Sequence, residues 1–395
     1  MRSSPGTFLL VGYQRGIRRA LHSLGMPACA LVPQGVRMPE APGLVGCREV
    51  DLHGPPEAIL GAARALLGDA APAAVVALAE RTVLAAAHLR DRFGLAGNGP
   101  PVALRCADKV EMKRAMDAAG VPVCPWREVH RDTRARELVA ALGLPLVLKP
   151  RRDSGGRGQR RFVAEAALEA ELAALQAGGG FDEGYGWLAE RWLEGIEMSV
   201  EAFLHQGELR FQSFTEYFVP RHANIVPAEL DAGAERELRA FHARALAAAG
   251  VERGITHLEL FRTAAGPVFG ELAIRPPGGR IMTLLRRGWG FDPWEALLRL
   301  SLGEDLSFPQ APRCCAGVWI LHPGSGTVAA IHGLDEARAV PNLRRIALKV
   351  GVGQRIPERL GTGQDVGSLY AEGPDRDHVA AALTSAREHL RFEFA

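Results

Sequence analysis

Over its first hundred residues the chain alternates short apolar runs with helical patterns, and few folds accept that alternation. Thr7–Val11, Ala28–Val32 and Ala73–Leu78 read as strands, whereas the apolar-periodic stretch up to Leu24, Glu57–Leu67 and Thr82–Phe93 read as helices. Strands separated by helices pair in parallel, because each crossover must return the chain to the same end of the sheet. A parallel α/β domain is therefore expected over residues 1–105. Gly12 and Gly16 occupy its first strand-to-helix turn. Their spacing lacks the GxGxxG fingerprint and no ribose-binding acid follows, so the turn reads as a tight connection and not as a dinucleotide site.

At 395 residues the chain is too long for one compact core and suits two or three domains. Its 47 basic and 45 acidic side chains leave a formal net charge of +2, without the footprint expected for nucleic acid or a membrane surface. A small-molecule substrate fits better. Cys29, Cys47, Cys106, Cys124, Cys314 and Cys315 show neither CxxC pairing nor Cys/His spacing, which argues for free thiols in a reducing compartment. The N-terminal apolar run Phe8–Val11 is short, and no uninterrupted apolar segment elsewhere is long enough to span a bilayer; a cytoplasmic protein is expected. Lysine occurs only at Lys109, Lys113, Lys149 and Lys349, which singles each of them out.

From Asp108 the texture changes. A helix running to Ala119 stops at Gly120, and Val121-Pro122-Val123 opens a strand. A strand ending at Lys149, a Gly/Arg-rich turn and a strand at Arg160–Val163 form a hairpin backed by the helix Ala166–Gln176, which together read as a small mobile α+β subdomain spanning about 121–190. Strands at Trp187–Arg191, Glu197–Phe203, Glu208–Thr215, Thr256–Arg262 and Pro267–Ile274 suggest a largely antiparallel sheet, interrupted by the helix Ala234–Ala249. From Cys315 onward the chain reads as short strands and a last helix, Arg376–Leu390. The resulting expectation is a central domain over 106–314 and a C-terminal α+β part over 315–395.

Four stretches carry candidate chemistry, and their order is more informative than any one of them. Asp108-Lys109 opens a helix, where a cation can meet a phosphate. Lys149 emerges at the end of the apolar strand Pro145–Leu148 and is followed by Gly155-Gly156-Arg157-Gly158, whose backbone N–H groups can close on phosphate oxygens. Glu190-Arg191-Trp192-Leu193-Glu194-Gly195-Ile196-Glu197 is a bend between strands, able to present backbone groups to an adenine edge and a carboxylate to ribose hydroxyls. Finally, His257-Leu258-Glu259 and Glu271-Leu272-Ala273-Ile274-Arg275-Pro276-Pro277-Gly278-Gly279 lie on successive strands, where facing acids can hold Mg²⁺. Arg275 has the pleat parity of Glu271 and projects to the same side.

The whole set resembles the ATP-grasp superfamily. The segment Glu190–Glu197 is similar to the adenine hinge of the D-alanine:D-alanine ligases, which implies Glu190 and the Arg191 and Leu193 backbones on adenine and Glu197 on ribose. Lys109 and Lys149 match the two nucleotide-phosphate lysines, Gly155, Gly156, Arg157 and Gly158 the closing loop, and Glu259 and Glu271 the magnesium acids. His257 with Arg275, Gly278 and Gly279, and the tail segments Val318–Ile331 and Gly351–Gly373, most resemble the carnosine-synthase and L-amino-acid-ligase branch. The chain departs from many members in carrying Ala273 where they have an asparagine metal ligand. The resemblance implies a pre-ATP-grasp α/β domain, an ATP-grasp domain with a lid, and a C-terminal subdomain, using ATP with Mg²⁺ or Mn²⁺.

The implied activity joins a small-molecule carboxylate to an amine through an acyl phosphate, with Arg275 stabilising the transferring phosphoryl group. Substrate-carboxylate candidates are Arg221, His222, Arg280, Arg286 and Arg287, and the family allows a homodimer. Carboxyphosphate chemistry like that of the biotin carboxylases and a catalytically silent ATP-binding regulator are the competing readings.

Overall fold

The computed structural model describes residues 6–36, 40–68, 70–181, 186–359 and 364–395. The first layer contains β1 (Phe8–Val11), α1 (Ile17–Leu24), β2 (Ala28–Val32), β3 (Leu44–Glu49), α2 (Pro56–Leu67), β4 (Ala74–Ala77) and α3 (Val83–Arg92). Its four strands are all parallel, in the order β3-β2-β1-β4. The continuous apolar runs β1, β2 and β4 are buried at every position, as a sheet covered on both faces requires. Sequence patterning overlooks β3 because this edge strand, Leu-Val-Gly-Cys-Arg-Glu, is largely half-buried or exposed and needs no apolar run. Gly16 shows why the first turn is tight: a Cβ there would lie 2.3 Å from the Trp294 indole nitrogen.

Helices α4 (Pro100–Ala107) and α5 (Lys109–Ala118) lead into a second sheet. This comprises β5 (Trp126–Val129), α6 (Ala135–Leu142), β6 (Leu146–Pro150), β7 (Arg160–Phe162), α7 (Glu165–Ala177) and β8 (Trp187–Arg191), antiparallel in the order β5-β8-β6-β7. It has a core of its own, with Leu138, Leu142, Leu146, Leu148, Leu168 and Leu172 among its buried members. The strand expected to open at Val121 begins instead at Trp126. Pro122 has no N–H for a ladder, and the segment crosses to the main sheet, where the Pro122 carbonyl accepts from the Phe269 N–H at 2.8 Å.

The rest of the chain builds one large antiparallel sheet. It follows β9 (Ile196–His205), β10 (Glu208–Val219), β11 (Ala223–Val226), α8 (Ala232–Ala249), β12 (Gly254–Thr263), β13 (Gly266–Ala273), α9 (Ile281–Trp289), α10 (Pro293–Ser301) and β14 (Cys315–Leu321). Then come β15 (Gly326–His332), α11 (Leu334–Ala339), β16 (Leu343–Leu348), β17 (Arg355–Ile356), β18 (Gly367–Gly373), α12 (Arg376–His389) and β19 (Arg391–Phe394). Eight strands pair in the order β13-β12-β9-β10-β11-β14-β18-β16, so C-terminal strands extend the central sheet, and β17-β15-β19 form a small sheet beside it. Residues 360–363 of the tail segment Gly351–Gly373 lie outside the described residues.

Strand alternation divides the labour of the large sheet. Met198, Val200, Ala202 and Leu204 of β9, with Leu258 and Leu260 of β12, enter a core shared with Met112 and Met116 of α5 and with Leu238 and Phe241 of α8. The intervening residues Glu197, Ser199 and Glu201 of β9 and His257 and Glu259 of β12 therefore share the opposite face. No helix among the described residues is long and apolar enough to cross a membrane.

The packing of α12 on β14 depends on a glycine. A Cβ at Gly317 would lie 2.5 Å from Val379 Cγ1 and 2.8 Å from Leu383 Cδ1, both on buried residues of the helix. Gly317→Ala is expected to lower stability by about 1–3 kcal/mol through overpacking. Urea denaturation with an unchanged slope checks it; a midpoint equal to wild type would show that α12 can shift at no cost.

Candidate active site

The site begins with a helix cap. Asp108, almost fully buried, accepts from the Val110 N–H at 3.0 Å and thereby starts α5. The same carboxylate also accepts from Arg151 Nε and Arg152 Nε, each at 3.0 Å. Burial opposes its ionisation, but the two guanidinium groups hold its pKa below the ordinary range. Because Arg151 and Arg152 directly follow Lys149-Pro150, this one carboxylate fastens the start of α5, which carries Lys109, to the loop after β6. Lys109 is thereby brought to the glycine loop, where its Nζ donates to the Asp153 carbonyl at 2.6 Å.

The loop itself is shaped by glycines. Gly155, Gly156 and Gly158 have φ of 69°, 70° and 66°. A Cβ at Gly158 would also strike the Pro150 ring at 2.8 Å. Arg157 folds back on Asp153, with its Nη2 2.9 Å from Oδ1.

Lys149 does not stand alone. Its Nζ pairs with Glu190 Oε2 at 2.5 Å, and Glu190 Oε1 lies 3.2 Å from Lys113 Nζ. Burial would raise the Glu190 pKa, but the two lysines pull it down to about 2. Conversely, burial lowers the Lys149 pKa and Glu190 more than restores it, so Lys149 stays charged. The Glu190 side chain thus faces two lysines, a partnership that the sequence reading did not foresee. In the bend that follows, the Arg191 N–H is given to the Pro125 carbonyl at 2.9 Å and the Trp192 N–H to the Pro145 carbonyl at 3.0 Å, while Leu193 is half-buried. Gly195 is required there, since a Cβ would meet the Arg262 carbonyl oxygen at 2.7 Å.

The polar face of the large sheet supplies the acids. Glu259 and Glu271 are direct partners across β12 and β13, and Lys109 Nζ lies 3.3 Å from Glu271 Oε1. His257 lies between two carboxylates, with Nδ1 2.7 Å from Glu201 Oε1 and Nε2 3.3 Å from Glu259 Oε1. Burial disfavours its cation, yet the two acids raise its pKa to about 9. Glu201 is completely buried and also accepts from Ser199 Oγ at 2.7 Å and from Thr215 Oγ1. Burial likewise opposes ionisation of Glu259, but His257, Arg275 and the Tyr217 hydroxyl, which donates at 3.2 Å, bring it down to about 2. Glu197 differs: burial and the charge of Glu259 push its pKa up to about 7.

Arg275 follows β13 and is held from the N-terminal layer, its Nε 2.9 Å from Glu80 Oε2. Burial works against its charge, but Glu80, Glu271 and Glu259 maintain it. A Cβ at Gly279 would meet Asn224 Nδ2 at 2.5 Å, whereas Gly278 has open space at that position. Lys109, Lys149, Glu259, Glu271 and Arg275 thus belong to one electrostatically connected cluster. Two of the arginines expected to hold a substrate carboxylate have acidic partners of their own: Arg280 Nη2 lies 2.8 Å from Asp365 Oδ2, and Arg287 pairs with Glu372. Arg221 is exposed, with its guanidinium against Gly156, and the Arg359 guanidinium lies 3.2 Å from His222 Nε2.

Residues 114–285 match the ATP-grasp domain, and residues 318–395 match the L-amino acid ligase C-terminal domain 2. The chain belongs to the ATP-grasp superfamily. Within it the chain is an ATP-dependent ligase of the carboxylate–amine family. An L-arginine-specific L-amino acid ligase of Bacillus subtilis is 25% identical over 309 residues, covering 75% of this chain and 74% of its own. A formate-dependent phosphoribosylglycinamide formyltransferase of Marinobacter nauticus is 28% identical over 287 residues, 68% of each chain. The crystal structure of an L-amino acid ligase from Bacillus licheniformis superposes with a TM-score of 0.83 at 19% identity, covering 100% of both chains, and establishes a shared fold.

Sequence reasoning about this ATP-grasp ligase missed Glu80, Glu201 and Tyr217 as members of the cluster, and it marked out Asp108 and Lys113 without foreseeing their ion pairs. Glu201 had a signal, an acid inside the strand run Ser199-Val200-Glu201-Ala202-Phe203. Glu80 had none, because its partner Arg275 is 195 positions away.

The Glu197 carboxyl makes the ligand-free protein sensitive to pH. Its pKa is raised from 4.5 to about 7, so between these values the folded state keeps a proton that the unfolded chain releases, and stability falls as pH rises through that window. Glu197→Gln lacks this fall. Urea titrations should show the variant gaining on wild type from pH 4 to pH 8, whereas a constant difference would contradict the assignment.

Proposed function

We propose that this ligase joins the carboxylate of one amino acid to the amine of another through an acyl phosphate, releasing ADP and phosphate. The observation that most supports this reading is the convergence of two lysines, two opposed carboxylates and a buried arginine, since phosphoryl transfer needs cations around a polyphosphate and hard oxygen donors beside it. The match of residues 318–395 to an L-amino acid ligase domain supports amino acids as substrates.

In this reading Lys109 and Lys149 meet the nucleotide phosphates, the Arg191 and Leu193 backbones read the adenine beside Glu190, whose carboxylate is held by Lys113 and Lys149, and Glu197 takes the ribose hydroxyls. Gly155, Gly156, Arg157 and Gly158 close over the phosphates as part of a lid spanning about 121–190, between an N-terminal part at 1–105 and a C-terminal part at 315–395. The core that the small sheet keeps to itself favours such independent movement. Glu259 and Glu271 would hold Mg²⁺, which would supply neutralisation of phosphate charge. Among the described residues no three His, Cys, Asp or Glu side chains form a group that could hold a metal ion by themselves.

The substrate carboxylate oxygen attacks the γ-phosphorus and ADP departs; the amine then attacks the acyl carbon and phosphate departs. Arg275 stays charged through both steps and stabilises the transferring phosphoryl group and then the tetrahedral oxyanion, while the Gly278 and Gly279 amides add donors. Glu80 fixes the direction of that guanidinium. His257, tied between Glu201 and Glu259, keeps Glu259 ionised and oriented. Closing the lid excludes water, which would otherwise hydrolyse the acyl phosphate.

Carboxylate labelled with ¹⁸O should deliver one label into the released phosphate for each amide formed. Label in AMP, or amide made with unlabelled phosphate, would overturn the acyl-phosphate reading; phosphate released with bicarbonate alone would favour carboxyphosphate chemistry. Lys149→Ala is expected to reduce turnover by about 100-fold or more with the fold retained, because it removes charge stabilisation from the transferring group. Near wild-type turnover in that variant would remove Lys149 from the reaction.

A further inference from the structure

Lys113 is among the most buried side chains in the molecule, at 1% exposure, and from there it cannot reach a ligand. Burying an ammonium group is costly unless its donors are used. Here three acceptors surround the nitrogen: Glu190 Oε1 at 3.2 Å, the Phe269 carbonyl at 3.3 Å and Cys124 Sγ at 3.7 Å. The Phe269 ring lies beneath it, with its centroid 5.5 Å away. The other oxygen of Glu190 holds Lys149. One carboxylate is therefore shared by two ammonium groups, and the buried trio carries a net charge of +1, from two cations and one anion.

We propose that Lys113 is a positioning residue for nucleotide binding: by neutralising Glu190 from behind, it leaves the charge of Lys149 available to a polyphosphate while Glu190 still fixes the direction of that lysine. The inference rests on the reading of Lys149 as a phosphate-binding group. Without Lys113, Glu190 and Lys149 form a neutral pair, and the polyphosphate must compete with an undivided carboxylate for the same ammonium. Without Glu190 as well, Lys149 recovers its charge and loses only its orientation.

The test titrates the full chain with ATP in the presence of Mg²⁺, and with AMP as a nucleotide lacking the β- and γ-phosphates. Lys113→Met is expected to weaken ATP by about tenfold or more, with little effect on AMP. The double variant Lys113→Met, Glu190→Gln should recover most of that loss, a coupling that a double-mutant cycle isolates. Additive losses, or equal losses for ATP and AMP, would mean that Lys113 only supports the fold, and unchanged ATP affinity would also overturn the proposal. If Lys113→Met alone does not fold, Glu190→Gln is compared with the double variant. The proposal requires equal ATP affinities of the two, because without the Glu190 carboxylate Lys113 has nothing to neutralise, and weaker ATP binding in the double variant overturns it. Failure of wild type to bind ATP would instead refute the nucleotide reading itself.

Discussion

The register of three strands decides what this site can contain. β12 pairs with β9 so that His257 faces Glu201 and Glu259 faces Ser199, and with β13 so that Glu259 faces Glu271. A slip of one residue would turn these polar groups into the core and present Leu258, Val200 and Leu272 on the face that now carries the acids. The apolar set prevents that slip, because Met198, Val200, Ala202, Leu258 and Leu260 are buried against α5 and α8. Placement of the acids is thus a by-product of a hydrophobic choice made on the opposite face of the sheet, and the helix that completes this core is the one that begins at Lys109.

Given that placement, the chemistry is governed by the cost of buried charge. The cations of the cluster are provided for: Lys149 and Lys113 by Glu190, Lys109 by Glu271 and the Asp153 carbonyl, Arg275 by Glu80, and His257 by Glu201 and Glu259. Pairs of this kind add little net stability, since desolvation offsets much of the attraction, but removing one partner strands the other. Their value lies in preorganisation. Cations are already fixed where the proposed reaction brings negative charge, so little reorganisation would accompany binding. Glu197 has no such partner among the groups that dominate its environment, and its raised pKa is the consequence.

Much of this was legible in the sequence, for identifiable reasons. The parallel layer, the hairpin around the glycine loop and the β12–β13 pair each express a local rule: apolar runs between helices, glycines at positive φ, period-two alternation. Lys109, Lys149, Glu259, Glu271 and Arg275 could be read as a set because the order of their stretches along the chain resembles that of the ATP-grasp superfamily. What escaped was whatever depends on long-range pairing or on a face not yet known. The β3 edge strand carries no buried run, and the pairing of Glu190 with two lysines needed the β6–β8 register, in which Glu190 faces Val147. Nothing local marks Lys113 as buried, since a lysine in a helix is ordinarily solvated; only the closure of α5 onto β13 buries it.

The Glu80–Arg275 pair extends this dependence across the molecule. Glu80 lies just after β4 and Arg275 just after β13, so the arginine proposed to act on the phosphoryl group is oriented by a sheet other than the one that carries it. A buried guanidinium without its carboxylate would be free to swing toward Glu259 or Glu271, whose charges also sustain it, and would then occupy oxygens proposed for the metal. Drawing Arg275 toward the N-terminal layer therefore keeps those acids available. On this argument the N-terminal α/β layer belongs to the candidate site as a counterweight, which gives a physical reason why the cluster proposed for phosphoryl transfer, built on an antiparallel sheet, should retain a parallel domain packed against it.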